Sequence, residues 1–386
     1  MKLKNGSRLI RRLSYIGHRS LIMITLILSL NIPRALAGYD MKENEEKFAK
    51  FGFKLQDWFQ VTGNAAPDGT SPSTNVSIKA LRFYINGQIN PLAKFSANVD
   101  WQRGVWDGAA TPNSTAVVRD AQILFDFNSE AKTIIGLFRT PFSRVALQDS
   151  FAYVLPHSPD IAGAAYIGDT ADYRNLGLTY TGEVSKGKIK YYAGTFDGYL
   201  NPIGATTDNA SAFYSGRISF NLSGAEKGYV NQGTYLGKNN MVSLGTGYLA
   251  GNYKTGTLSP LYTAWTIDAF IEQDMDSGVF TGEAAYFNYN RGINDGHTSG
   301  WYLLAGYLLP SLNIQPALRY EKSDRDSSIM GGEDYHKTSA GINWYLKGHD
   351  SKLQLEYAIK DYDTEGLLAR INKDFADLTI AFQVQF

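Results

Sequence analysis

The chain has no cysteine among its 386 residues, which excludes a disulfide framework, a thiol nucleophile and a Cys-ligated zinc site. Histidine is almost as scarce, with only His157, His297, His336 and His349 beyond residue 37. All four fall on predicted loops or turns, at no metal-ligand spacing and with no serine on a shared strand face, so a Ser-His-acid hydrolase has nothing to be built from. No stretch beyond residue 37 is apolar for long enough to make a transmembrane helix. Positive charge is also lacking: residues 1–37 hold seven Lys and Arg and no acidic residue, leaving 30 basic against 37 acidic groups and a formal net charge of −7. A mildly acidic chain without a basic tail does not suit a nucleic-acid partner.

The first 37 residues read as a targeting segment. Lys2, Lys4, Arg8, Arg11, Arg12 and Arg19 form a basic region, Leu21 to Leu30 is mostly apolar, and Ala35-Leu36-Ala37 is a small-x-small cleavage site. Ser14 and Tyr15 follow Arg11-Arg12 where a twin-arginine signal wants an apolar pair, so export of the unfolded chain is expected. Residues 38–50 are then a short periplasmic lead-in, and 51–386 the folded body.

The chain is rich in Gly (38), Tyr (25) and Phe (20), and the apolar residues of the body recur with a period of two. In Leu378 to Phe386, apolar Leu378, Ile380, Phe382, Val384 and Phe386 alternate with Thr379, Ala381, Gln383 and Gln385, a strand with one oily and one wet face. Such a strand cannot be an edge in lipid, where each unpaired N–H or C=O costs several kcal/mol. It is expected to close a barrel against the strand near Phe51 to Val61. Similar segments about ten residues long, the length a tilted strand needs to cross a bilayer, recur to a total of about sixteen. Connections alternate in length. Asn90-Pro91, Asn128 to Glu130, Pro310-Ser311 and Lys347 to Asp350 are short, whereas Thr62 to Thr74, Arg139 to Tyr173, Asn288 to Ser299 and Lys322 to Asp334 are long. The predicted fold is therefore all-β, a transmembrane antiparallel β-barrel with short periplasmic turns, long external loops and both termini in the periplasm. Ser223 to Asn239 breaks the rule, being long on the short-turn side.

The wet face carries the candidate pore residues. Lys54, Arg82, Lys94, Lys188, Lys190, Arg217, Arg319, Lys352 and Lys360 stand against Asp100, Asp120, Asp126, Asp268, Glu272, Glu321 and Glu356. Arg82, Arg217 and Arg319, each between apolar neighbours on a well-phased strand, are placed to meet a carboxylate or a passing oxyanion.

Several stretches resemble the phosphate-selective porin O and P family. They are I-I-G-L-F-R-T-P-F-S-R at Ile134 to Arg144, Y-R-N-L-G-L at Tyr173 to Leu178, G-T-Y-L-G-K at Gly233 to Lys238, L-R-Y-E at Leu318 to Glu321, and N-W-Y-L-K-G-H-D-S-K-L-Q-L-E-Y at Asn343 to Tyr357. The resemblance implies a trimeric sixteen-stranded porin with a basic lumen and an inward-folded third external loop. Here that loop, Arg139 to Tyr173, carries Arg144 but also Asp149, Asp160, Asp169 and Asp172, and no lysine. It departs from the lysine-rich pore of a phosphate-selective member. Arg139 and Arg174 flank it, so arginines on the wall and carboxylates on the loop are expected to face one another across a waist.

The function expected is passive diffusion of small hydrophilic solutes and ions through an outer-membrane porin with weak anion preference, phosphate being one candidate. A general or weakly cation-selective porin is the alternative, and an outer-membrane hydrolase a remote one. Expected partners are outer-membrane lipid, the barrel-assembly machinery reading the C-terminal strand, and two further copies in a homotrimer. No cofactor or metal is expected. Purified protein in detergent should show a β-rich spectrum, migrate differently on gels before and after boiling, and run as a trimer before heating. A helical spectrum or a heat-insensitive monomer would contradict this.

Overall fold

A computed structural model describes residues 40–103, 115–164, 166, 173–197, 212–252, 260–292, 296–325, 334–363 and 374–386. The targeting segment expected in residues 1–37 lies outside them. In chain order the strands are β1 (Asp40–Lys42), β2 (Phe48–Thr62), β3 (Ser73–Asn90), β4 (Ala93–Arg103), β5 (Thr115–Asn128), β6 (Ala131–Arg139), β7 (Arg174–Val184), β8 (Ile189–Phe196) and β9 (Phe213–Ser223). There follow β10 (Met241–Asn252), β11 (Leu261–Met275), β12 (Gly278–Asn290), β13 (His297–Leu308), β14 (Ile314–Arg325), β15 (Tyr335–Lys347), β16 (Ser351–Tyr362) and β17 (Phe375–Gln385).

From β2 onward each strand pairs antiparallel with the next, and β17 returns to β2 in a register running from Asp377↔Thr62 to Gln385↔Lys54. Sixteen strands therefore close on themselves. The short β1 folds back on the start of β2, with Asp40 opposite Lys50, so the wall begins at Phe48, three residues before the expected Phe51. Lys188, expected to face inward on a strand, is an exposed turn residue instead; β8 starts one residue later. His297 and His336, expected in loops, lie on β13 and β15.

Burial is inverted relative to a water-soluble sandwich. Outward Leu303 and Leu318 are each 55% exposed, while inward Gln315, Glu321 and Ser339 are fully covered. This is what alternation produces when lipid wets the outside and polar side chains fill the inside. Among the β-bulges that interrupt the alternation, one lies on β3, where Gln56↔Ala80 is followed by Asp57↔Ile78, and one on β5, where Asn98↔Asp120 is followed by Val99↔Val118. Each leaves one residue unpaired, Lys79 and Arg119, and rotates it out of the strict period.

At the seam, Phe386 exchanges two 3.0 Å backbone hydrogen bonds with Phe53 and stacks on the Phe53 ring at 5.5 Å, and the Tyr84 hydroxyl donates to its terminal oxygen at 2.7 Å. Deleting Phe386 removes all of these, together with an apolar side chain worth about 1.5–3 kcal/mol. The deletion variant should reach the heat-modifiable, membrane-inserted form more slowly in a pulse-chase. Assembly at the normal rate would show that this residue has no special role.

Candidate functional site

The connection from β6 to β7 is the longest, and residues 140–163 of it are packed against inward side chains of many strands. Three single-turn 3-10 segments (Val145–Leu147, Ser150–Ala152, Asp160–Gly163) shape it. Ser215 on β9 donates to Pro141 O at 2.7 Å and Arg217 to Phe142 O at 3.3 Å. Further along, Gln383 on β17 reaches Phe151 O, Lys352 on β16 reaches Tyr153 O, Asn343 on β15 reaches Val154 O, and Arg319 on β14 reaches His157 O. The backbone carbonyls of an irregular segment need donors when buried, and the polar face of the wall supplies them. Two wall glycines make room for it. A Cβ on Gly247 would sit 1.8 Å from Phe142 O, so a side chain there would displace the segment, and one on Gly300 would meet Lys322 O on β14 at 2.2 Å and the Ile161 side chain at 2.8 Å.

A second irregular connection, residues 224–240 between β9 and β10, starts from the end of the barrel where β2 begins and β17 ends. Glu226 accepts from Arg144 at 2.7 Å, and Arg144 also donates to Gln232 O at 2.9 Å. Asn231 N donates to Leu147 O and Asp149 N to Asn231 O, at 2.8 and 2.9 Å. Glu272, on β11, accepts from Thr234 Oγ1, Tyr235 N and Gly237 N at 2.8–2.9 Å.

Between these segments and the β2–β7 wall lie two cavities of about 300 and 340 Å³ that share Arg82 and Arg139. The first is lined by Lys54, Arg174, Asp120 and Asp149 as well, and the second by Lys79, Arg119, Asp100, Asp160, His157 and Trp58. Among the described residues the two together present six Lys or Arg and four Asp. Asp100 is shared by Arg82 at 2.9 Å and Arg119 at 3.1 Å, and Arg174 holds Asp120 through two bonds of 2.7 and 3.0 Å.

Both described loop aspartates are paired. Asp149 meets Lys54 at 2.7 Å, and Asp160 meets Lys337 at 2.9 Å and Lys360 at 3.1 Å. Burial alone would raise the Asp149 carboxyl, but Lys54 and the Phe151 N–H bring it well below the usual carboxylate range. At Asp160 burial is likewise outweighed by Lys337 and Lys360, again in the downward direction. Both stay ionised through the neutral range.

The sequence-predicted residues thus divide into groups. Arg82, Arg139, Arg174, Asp149 and Asp160 come together around the cavities. Arg217 forms a two-pronged pair with Asp268 at 2.6 and 2.8 Å, Arg319 pairs with Glu356 at 3.3 Å, and Arg144 is buried between Glu226 and Glu283 over the Phe270 ring; none of the three borders either larger cavity. Glu272 holds residues 234–237. Lys94 pairs with Asp126 at 2.5 Å, away from both cavities. Asp169 and Asp172 lie outside the described residues. Strict alternation missed Lys79 and Arg119, because bulges turn them inward; the adjacent polar pair Arg119-Asp120 was a signal on β5, whereas Lys79, between Ile78 and Ala80, gave none. Among the described residues no group of three His, Cys, Asp or Glu could hold a metal ion. His157 meets Glu356 at 3.0 Å and Asp377 at 3.9 Å.

A protein-family model described as phosphate-selective porin O and P matches residues 51–386. An uncharacterized protein of Aquifex aeolicus (strain VF5) is 26% identical over 290 residues, 70% of this chain and 67% of that one. Among solved structures, the anion-selective porin from Comamonas acidovorans matches with a TM-score of 0.60 at 14% identity, covering 88% of this chain and 100% of the other. Salmonella typhi OmpF in complex with daunomycin gives 0.61 at 13% identity, covering 90% and 100%. At such identities the two structures speak to the fold alone, whereas the family match spans the whole barrel. The protein is an outer-membrane porin, and the chain belongs to the phosphate-selective porin O and P family.

Proposed function

We propose that small hydrophilic solutes and ions cross the barrel off its axis, along the β2–β7 wall, with a modest preference for anions. On this reading residues 140–163 are the inward-folded third external loop and narrow the channel to the gap in front of Arg82 and Arg139. The observation that carries it is the pair of cavities that share those two arginines and are lined by six cationic and four anionic side chains. A surplus of positive charge at a narrow point favours anions, phosphate included. It is weakly screened there, since the Debye length is about 8 Å at physiological salt.

A tight phosphate site does not follow. Arg82 and Arg174 already have carboxylate partners, Asp100 and Asp120, and an entering oxyanion must compete with them. The channel is a porin and not an enzyme on the same grounds: fold and family indicate passage, and His157 is engaged with carboxylates. A homotrimer in outer-membrane lipid, assembled through recognition of the C-terminal strand, completes the proposal.

Reversal potentials across a salt gradient test the pathway. Arg82→Ala and Arg139→Ala should shift the wild-type value toward cations, and Asp149→Asn toward anions. Block of chloride current by micromolar phosphate would refute the weak selectivity.

Arg217→Ala and Arg319→Ala should behave differently. Each removes the arginine partner of a buried carboxylate, a loss of up to about 3–5 kcal/mol, so the temperature at which the barrel unfolds on gels should fall while the reversal potential stays near wild type. A selectivity change as large as that of Arg82→Ala would place these two arginines on the conduction path.

A further inference from the structure

Connections on the side of the barrel where β2 begins and β17 ends are otherwise short: residues 91–92, 129–130, 185–188, 276–277, 309–313 and 348–350. The β9–β10 connection, residues 224–240, is several times longer, and its length is spent inside. Three kinds of bond tie it to the segment that comes from the opposite end. There is a backbone exchange, with Gln148 and Asn231 as partners in a parallel β-bridge. There is a buried ion pair, Arg144 with Glu226, in which the two side chains are 2% and 4% exposed. Finally the Tyr229 hydroxyl donates at 2.7 Å to the carbonyl of Arg139, one of the two arginines shared by the cavities.

The far side of residues 224–240 is anchored to the wall. Glu272 gathers three donors from residues 234–237, and the His349 ring meets Thr234 O at 2.9 Å. Burial alone would raise the Glu226 carboxyl, yet Arg144 draws it below its ordinary range, so the pair is charged as it stands. Breaking such a pair leaves an uncompensated charge in a low-dielectric interior. A segment held at one end by the wall and bonded at the other to a second segment can carry load between them.

We propose that residues 224–240 are an internal strut that fixes the position of residues 140–163 and thereby sets the width of the channel in front of Arg82 and Arg139. This rests on the reading of residues 140–163 as the constriction. Without the strut, the segment keeps wall contacts from Ser215 and Arg217 at residues 141–142 and from Gln383, Lys352, Asn343 and Arg319 at residues 151–157, but residues 144–149 lose the support of residues 224–240. The constriction would then widen and fluctuate.

Single-channel recording in planar bilayers tests this with three proteins besides wild type. Gln148→Cys combined with Asn231→Cys introduces the only two cysteines into a chain that has none. Bridged neighbours in a sheet lie within the Cα spacing a disulfide needs, about 4.4–6.8 Å. The oxidised variant should form the cross-link and conduct like wild type. Replacing residues 226–237 by a Gly-Ser linker of equal length should raise conductance about twofold or more and add current noise, since pore width governs passage. Glu226→Gln should move both in the same direction by less, and it decides the matter if the linker variant lacks the heat-dependent gel shift of a folded barrel. Failure of the disulfide to form, or wild-type conductance and noise in a folded variant without the ion pair, overturns the strut alone. A wild-type protein that gives no conductance steps overturns the porin reading and the strut together.

Discussion

The pairing of β17 with β2 is the constraint from which the rest of the structure follows. In hydrocarbon no water satisfies a free N–H or C=O, so the strand at Phe375–Gln385 must find the one at Phe48–Thr62, more than 300 positions earlier in the chain. Once the ring is closed, each strand has one face to lipid and one to the lumen. Leucines and aromatics on the outside and Gln, Glu, Lys and Arg on the inside are the two halves of one pattern.

Closure creates a second problem, because it gathers many charges into a confined interior. The structure meets it by pairing: Arg217 with Asp268, Arg319 with Glu356, Arg144 with Glu226, and Asp160 with Lys337 and Lys360. Several of these pairs engage residues 140–163 or 224–240, so the same ion pairs that neutralise the lumen also hold its contents in place. Along β2–β7, where the cavities remain, six cationic side chains stand with four carboxylates.

Most of the barrel was legible in the sequence because period-two alternation is a direct consequence of having lipid on one side. The closing strand, the strand count and the long third connection could all be read that way. What could not be read was where alternation fails and what irregular segments do. A bulge adds one residue with little compositional mark, so Lys79 and Arg119 were not counted among the wet-face charges. Arg82, Arg217 and Arg319 looked equivalent, since each is a lone arginine between apolar neighbours. Only the path of residues 140–163 separates them: all three are buried, but Arg82 borders the two larger cavities and Arg217 and Arg319 do not. The long β9–β10 connection was visible as an anomaly, but its partner Arg144 lies 82 positions away from Glu226, and nothing local announces the contact.

The wall glycines carry a consequence for how the barrel is put together. Gly247 on β10 and Gly300 on β13 are fitted to Phe142 and Ile161, and Gln383 on the final strand is bonded to Phe151 O. The interior is therefore an impression of the irregular segment, taken on strands synthesised after it. Filling and closing are coupled: the last strand gains part of its contacts from the segment it encloses, and a ring that sealed without it would leave Gln383, Asn343 and Lys352, neighbours on β15–β17, without the carbonyls they bond. The order in which the chain is made, contents first and lid strand last, matches the order in which the contacts become available.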